Sequence, residues 1–111
     1  MKLLSTFRSG RLTLLPAGKL DHHSAKGTVK RIEDLIEENL PRDCVLDLSE
    51  LSFMDSSGIA VILRVYKRMR ELGGRAWIEG AQTQPARVID ASGIDRMVPV
   101  LSKAEKAEKR G

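Results

Sequence analysis

A chain of 111 residues, 41% hydrophobic and 31% charged, has room for one domain around one core and none for a second catalytic module. With a net charge of +4, 4% aromatic residues and neither helix-turn-helix nor zinc-finger spacing, it does not read as a nucleic-acid binder. No apolar run approaches the roughly 20 residues that span a bilayer, and polar Ser5 and Thr6 follow Met1-Lys2-Leu3-Leu4 where a signal peptide would turn apolar, so a cytoplasmic protein with no membrane partner is expected.

In chain order, residues 3–7 and 11–15 flank Ser9-Gly10 and predict a hairpin of two strands. Pro16-Ala17-Gly18 reads as a connection to a helix capped by Asp21 or Ser24, with Ala25, Val29, Ile32, Leu35 and Ile36 on one face and Asn39-Leu40-Pro41 as its end. A covered strand follows over 44–48, then a loop to Asp55. Ile59, Ile62, Leu63, Tyr66 and Met69 recur at helical spacing and predict a helix over 56–72, stopped by Gly73-Gly74. Residues 75–79 return as a strand. Pro85 suits the first turn of a third helix carrying Val88 and Ile89, which ends near Gly93 before a last strand over 97–100. Strands alternating with helices imply parallel pairing through right-handed crossovers. The expected fold is therefore α/β, a mixed, mostly parallel sheet with an N-terminal hairpin, in a domain over 1–102. Residues 103–111 are charged and carry no apolar stripe, so they read as a solvated tail.

The junction between the loop and the second helix concentrates chemistry. Asp55 is the natural N-cap, and Ser56 enters the first turn with its hydroxyl near the positive end of the helix, where a phosphoryl group would be held. Gly58 offers no side chain to obstruct a molecule approaching that turn. On spacing alone, the serines are explained as residues that satisfy helix-start N–H groups.

Other chemistry finds less support. A serine hydrolase of the Gly-x-Ser-x-Gly type would need glycine where Met54 stands. His22 and His23 are adjacent, with no Cys or spaced His to complete a metal set, and read as a polar loop with one ring packed on the helix start and the other in water. Cys44, the lone cysteine, reads as a small buried hydrophobe. No phosphate-binding loop or dinucleotide fingerprint is present, so no cofactor is expected. Arg64, Lys67 and Arg68 form either a solvated helix face or a surface that meets an acidic patch on a protein partner.

Asp55-Ser56-Ser57-Gly58, following Leu51-Ser52-Phe53-Met54, resembles the phosphorylation loop of the anti-sigma factor antagonists built on the STAS domain. Leu20-Asp21-His22-His23-Ser24-Ala25 resembles that family's second signature. The likeness continues through Ile62-Leu63, Tyr66-Lys67, Leu72-Gly73-Gly74 and Ala91-Ser92-Gly93-Ile94, and so runs from about Leu12 to Val100. Two departures stand out: Lys19 occupies a place where relatives often carry an acid, and the tail is more polar than their C-terminal helix.

The resemblance implies a non-enzymatic switch in a bacterial partner-switching cascade, with Ser56 as phospho-acceptor and Asp21, Asp55, Ser56, Ser57 and Gly58 at the partner contact. The implied partners are an anti-sigma factor that is itself a serine kinase of the histidine-kinase-like ATPase type, and a metal-dependent serine phosphatase. The unphosphorylated form would bind the kinase and free its sigma factor, and phosphorylation would end binding. The rival readings are a non-phosphorylated STAS subunit of another assembly, such as a lipid-transport or stress-signalling complex, and a nucleotide-binding protein.

Overall fold

The hairpin forms as the sequence predicts. Strands β1 (Lys2–Arg8) and β2 (Arg11–Leu20) pair antiparallel with Arg8 opposite Arg11, and Ser9 and Gly10 both take positive φ (52° and 80°), the primed turn that matches strand twist. The computed structural model describes residues 1–101; the expected tail over 103–111 and the last residue of the expected domain, 102, lie outside the described residues.

Helix α1 (Ala25–Asn39) leads to β3 (Asp43–Asp47) and β4 (Leu51–Met54). Helix α2 (Ser56–Glu71), β5 (Arg75–Glu79), α3 (Thr83–Ser92), a 3-10 turn (Ile94–Arg96) and β6 (Val100–Leu101) complete the described residues. The sheet runs in the order β1-β2-β3-β5-β6, parallel throughout except for β1, with β4 placed beside the far end of β2. The α/β class, the mixed sheet and the N-terminal hairpin are as expected.

Three boundaries differ by more than one residue, each for a physical reason. Pro16-Ala17-Gly18 does not end the strand, because β2 changes partner there: its last pair with β3 is Leu14 with Leu46, and its first with β4 is Gly18 with Leu51. Pro16 falls between those partners, where its missing N–H leaves no ladder bond on that side unmade. The expected loop before Asp55 contains β4, which the sequence hides because its burial does not alternate: Leu51 and Met54 are buried while Ser52 and Phe53 are exposed. The last strand begins only at Val100, since Ile94–Arg96 winds into a 3-10 turn and residues 97–99 serve as its exit.

The core lies between one sheet face and the helices. Leu12 and Leu14 of β2, Cys44 and Leu46 of β3 and Ala76 and Ile78 of β5 share that face, in the alternation expected of strands. Against them pack Ile32, Leu35 and Ile36 of α1, Val61, Ile62, Val65 and Met69 of α2, and Ile89 of α3. Each fully buried side chain of this size contributes about 1.5–3 kcal/mol relative to exposure, so α2, with four of them, is fixed mainly by its inner face. Ala25 and Val29, on the expected apolar face, are partly buried and pack against this core, and Thr28 is buried beside them with its hydroxyl donating to the Ser24 carbonyl (2.8 Å). Among the described residues no helix is long and apolar enough to cross a membrane.

Candidate functional site

The parallel pairing of β2 and β4 delivers two chain turns to the same end of the sheet. Leu20 closes β2 opposite Met54 of β4, so the segment after Leu20 and the segment after Met54 emerge side by side. Asp55 then joins them. Its N–H donates to the Leu20 carbonyl (3.3 Å), its Oδ1 accepts from the Ser57 N–H (2.8 Å), and its Oδ2 accepts from the His22 N–H (3.2 Å). One carboxylate therefore caps α2 and anchors the neighbouring turn.

Asp21 lies in that neighbouring turn, and its carboxylate is directed at its own backbone. Oδ1 accepts from the N–H groups of His23 (2.9 Å) and Ser24 (3.2 Å), while the Asp21 N–H donates to Ser24 Oγ (3.1 Å). Partial loss of solvation pushes the Asp21 pKa up, yet the backbone hydrogen bonds from Ser24 and His23, the charge of His23 and the Ser24 hydroxyl together outweigh it. The net shift is downward, so the carboxylate is held ionised below its ordinary range. Ser24, not Asp21, occupies the N-cap position of α1, and its side chain makes no cap bond there.

Ser56 is exposed on the first turn of α2, and Ser57 is half-buried behind it. Gly58 is buried, which corrects the expectation that its bareness opens the site to an approaching molecule. A Cβ at Gly58 would fall on Met54 Cγ and 2.6 Å from its Sδ, with Leu20 Cδ2 at 3.4 Å. The glycine faces inward and lets α2 sit directly on the ends of β4 and β2.

Both histidine rings are exposed, against the expectation that one would pack on the helix start; they meet edge to face at 5.3 Å. What reaches the site is the backbone N–H of His22. No cluster among the described residues could hold a metal ion. Cys44 is fully buried as expected, and burial pushes its thiol up to about 12. On the outer face of α2, Arg64 pairs with Glu33 (3.1 Å) and Arg68 with Glu71 (3.8 Å), leaving exposed Lys67 between them. Such surface pairs are worth about 0–1 kcal/mol.

Two neighbours of the site carry no sequence signal. Phe53 stands 37% exposed, an apolar side chain three residues before Ser56. The Gln84 amide, from α3, bonds both backbone groups of Met54. A cavity of about 650 Å³ lies elsewhere, lined by Arg11, Val45, Arg75 and Trp77 among others and by none of Asp21 or Asp55 to Gly58. Arg11 and Arg75 lie over the Trp77 ring there, at 5.0 and 5.6 Å from its centre.

Residues 4–107 match the STAS domain family. The chain belongs to that family. This STAS domain is 33% identical over 98 residues to the anti-sigma F factor antagonist of Paenibacillus polymyxa, covering 88% of this chain and 84% of that protein. It is 27% identical over 89 residues to the anti-sigma-B factor antagonist of Bacillus subtilis (strain 168), covering 80% of each. Its fold is shared with the solved structure of the unphosphorylated anti-sigma factor antagonist SpoIIAA, at a TM-score of 0.79 and 20% identity over 97% of this chain and 95% of that one. A phosphorylated form of the Bacillus SpoIIAA, also 20% identical, aligns with a TM-score of 0.71 over 99% of this chain and the whole of that one.

Proposed function

We propose that this STAS domain is an anti-sigma factor antagonist acting as a binding switch in the cytoplasm. The observation that carries the reading is the α2 start: an exposed Ser56 beside an Asp55 whose two carboxylate oxygens are committed to the Ser57 and His22 N–H groups. The names of its relatives from Paenibacillus and Bacillus support it.

In this mechanism the surface formed by the Asp21 turn, Asp55, Ser56 and the outer face of α2 docks on an anti-sigma factor that is also a serine kinase, and the sigma factor is released. Phe53 supplies apolar contact at the rim, and Lys67 with its flanking arginines faces acidic side chains of the partner. Asp55, Ser57 and Gly58 act by shaping the turn, Gly58 from inside. The kinase transfers a phosphoryl group to Ser56, which adds about −1.5 to −2 charge next to the Asp55 carboxylate. That charge must be desolvated on docking, so the complex dissociates; a metal-dependent serine phosphatase regenerates the binding form.

Incubation with the cognate kinase and ATP, followed by mass spectrometry of the digested chain, tests the assignment. Phosphate is expected on Ser56 and absent from Ser57, which lies half-buried with its N–H held by Asp55. Phosphate on Ser57 alone, or on neither with a kinase that binds the chain, would remove Ser56 from the mechanism and favour a STAS subunit that works without modification.

A further inference from the structure

Among the described residues, strand β4 has a ladder partner on one side only, β2. Met54, its last residue, turns both its N–H and its C=O to the open side, and an edge strand left so would be a row of unpaired polar groups. Here the side chain of Gln84, in the first turn of α3, takes the place of the absent strand. Its Oε1 accepts from the Met54 N–H (2.8 Å) and its Nε2 donates to the Met54 carbonyl (3.0 Å). A primary amide is the side-chain group that offers one acceptor and one donor in the geometry of a peptide unit.

The consequence falls on the next residue. The Met54–Asp55 peptide has its carbonyl bound by Gln84 and its N–H bound to the Leu20 carbonyl (3.3 Å), so both ends of the unit immediately before Asp55 are fixed. From there the Asp55 carboxylate reaches the Ser57 and His22 N–H groups, and Ser56 stands between. We propose that Gln84 is a positioning residue of the switch: its amide, acting through the Met54–Asp55 peptide, sets the orientation of the Asp55–Ser56 turn that the kinase-type anti-sigma factor binds. The proposal rests on the anti-sigma factor reading given above for its functional part, and on the hydrogen-bond geometry alone for its structural part.

Gln84→Met keeps the length of the side chain and removes both polar atoms. Gln82→Met is the control, because Gln82, at the N-cap of α3, donates to the Ser49 carbonyl (2.7 Å) and makes no side-chain hydrogen bond to Met54 or Asp55. Hydrogen exchange by NMR on the folded, full-length chain should show the Asp55 and Ser57 amides exchanging at least about tenfold faster in Gln84→Met than in the wild type or in Gln82→Met, whatever the melting temperatures. Calorimetric titration with the anti-sigma factor should show affinity weakened at least about tenfold in Gln84→Met and within about twofold of wild type in Gln82→Met. Gln84→Glu adds a signature that mere packing would not give. At neutral pH its carboxylate can accept from the Met54 N–H but only repels the carbonyl, so exchange should be fast; near pH 4, where the group takes up a proton and becomes a donor again, protection relative to Gln82→Met should return.

Equal exchange and equal affinity in the two methionine variants, or a Gln84→Glu protein whose exchange ratio ignores pH, would overturn the proposal. If the wild type fails to bind any kinase-type anti-sigma factor while Gln84→Met still frees the Asp55 and Ser57 amides, the functional reading fails and Gln84 keeps its positioning role.

Discussion

Gly58 is a residue whose neighbours leave no room for a side chain. An added methyl would meet Met54 Cγ and Sδ, atoms within the side chain and not at its loose end, and Met54 is fully buried. Overpacking of this kind costs about 1–3 kcal/mol, so Gly58→Ala should lower the urea midpoint without changing the fold. Met54→Ala makes room for the methyl, and the double variant should be more stable than the sum of the two single losses by at least about 0.5 kcal/mol. Strict additivity would show that Gly58 is not there to let α2 approach β4. Cys44 gives a second test at the same scale. Its thiol is pushed up to about 12 by burial, which favours the neutral form in the folded state. The stability this contributes is complete below the unfolded thiol's pKa of about 8.5 and is lost as pH rises from there through the folded value, because only the unfolded chain ionises in that window. Denaturation midpoints should therefore fall more steeply above about pH 9 in the wild type than in Cys44→Ala. Parallel slopes would contradict the assignment.

At the scale of elements, Asp43 ties β3 to its neighbours. Its carboxylate is buried, with a side-chain exposure of 1%, and pairs with Arg75 of β5 at 3.0 Å, Arg11 of β2 at 3.4 Å and Arg42 at 3.7 Å. The three arginines are 50%, 70% and 70% exposed, so they return to water when the acid is removed and no charge is stranded inside. Asp43→Asn should then cost about 1–3 kcal/mol, the worth of hydrogen bonds to charged groups, below the roughly 3–5 kcal/mol of a broken buried pair. For a domain of this size that is a fall of at least about 4 °C in Tm; an unchanged Tm would show the cluster to be incidental. Elements with a local signal were legible in the sequence. The hairpin announced itself through Ser9-Gly10, α2 through the Asp55 cap ahead of a helical apolar period, and β5 through its bounds at Arg75 and Glu79. Strand β4 was not, because four residues without alternation become a strand only when β2 changes partner beside them. The same holds at the site. The Asp55 cap and the place of Ser56 in the first turn of α2 could be read locally, whereas the Gln84 bonds to Met54 and the His22 N–H contact to Asp55 join residues 30 and 33 apart in sequence and have no local trace. The inward face of Gly58 has no local trace for a related reason: nothing in the order of residues says that Met54 lies beneath it.

At the scale of the molecule, the sheet and its helices share one packed core and Ser56 stands exposed at its rim. The core takes in Leu20 of β2 and Met54 of β4 beneath the α2 start, with Gly58 buried against them and Ile59 partly buried, while Ser56 is exposed. A charge added at Ser56 meets the N-terminal end of a helix, which favours an anion by about 0.3–1 kcal/mol, so the fold should tolerate it. On the proposed mechanism the effect then falls on the partner, whose surface would have to desolvate the new charge. Calorimetric titration of the wild type and of Ser56→Asp against the kinase-type anti-sigma factor, each with its thermal melt, measures this directly. The account predicts melting temperatures within a few degrees of one another and affinity for Ser56→Asp weaker by at least tenfold, about 1.4 kcal/mol. Equal affinities, or a melting temperature that collapses far enough to explain the lost binding, would contradict it.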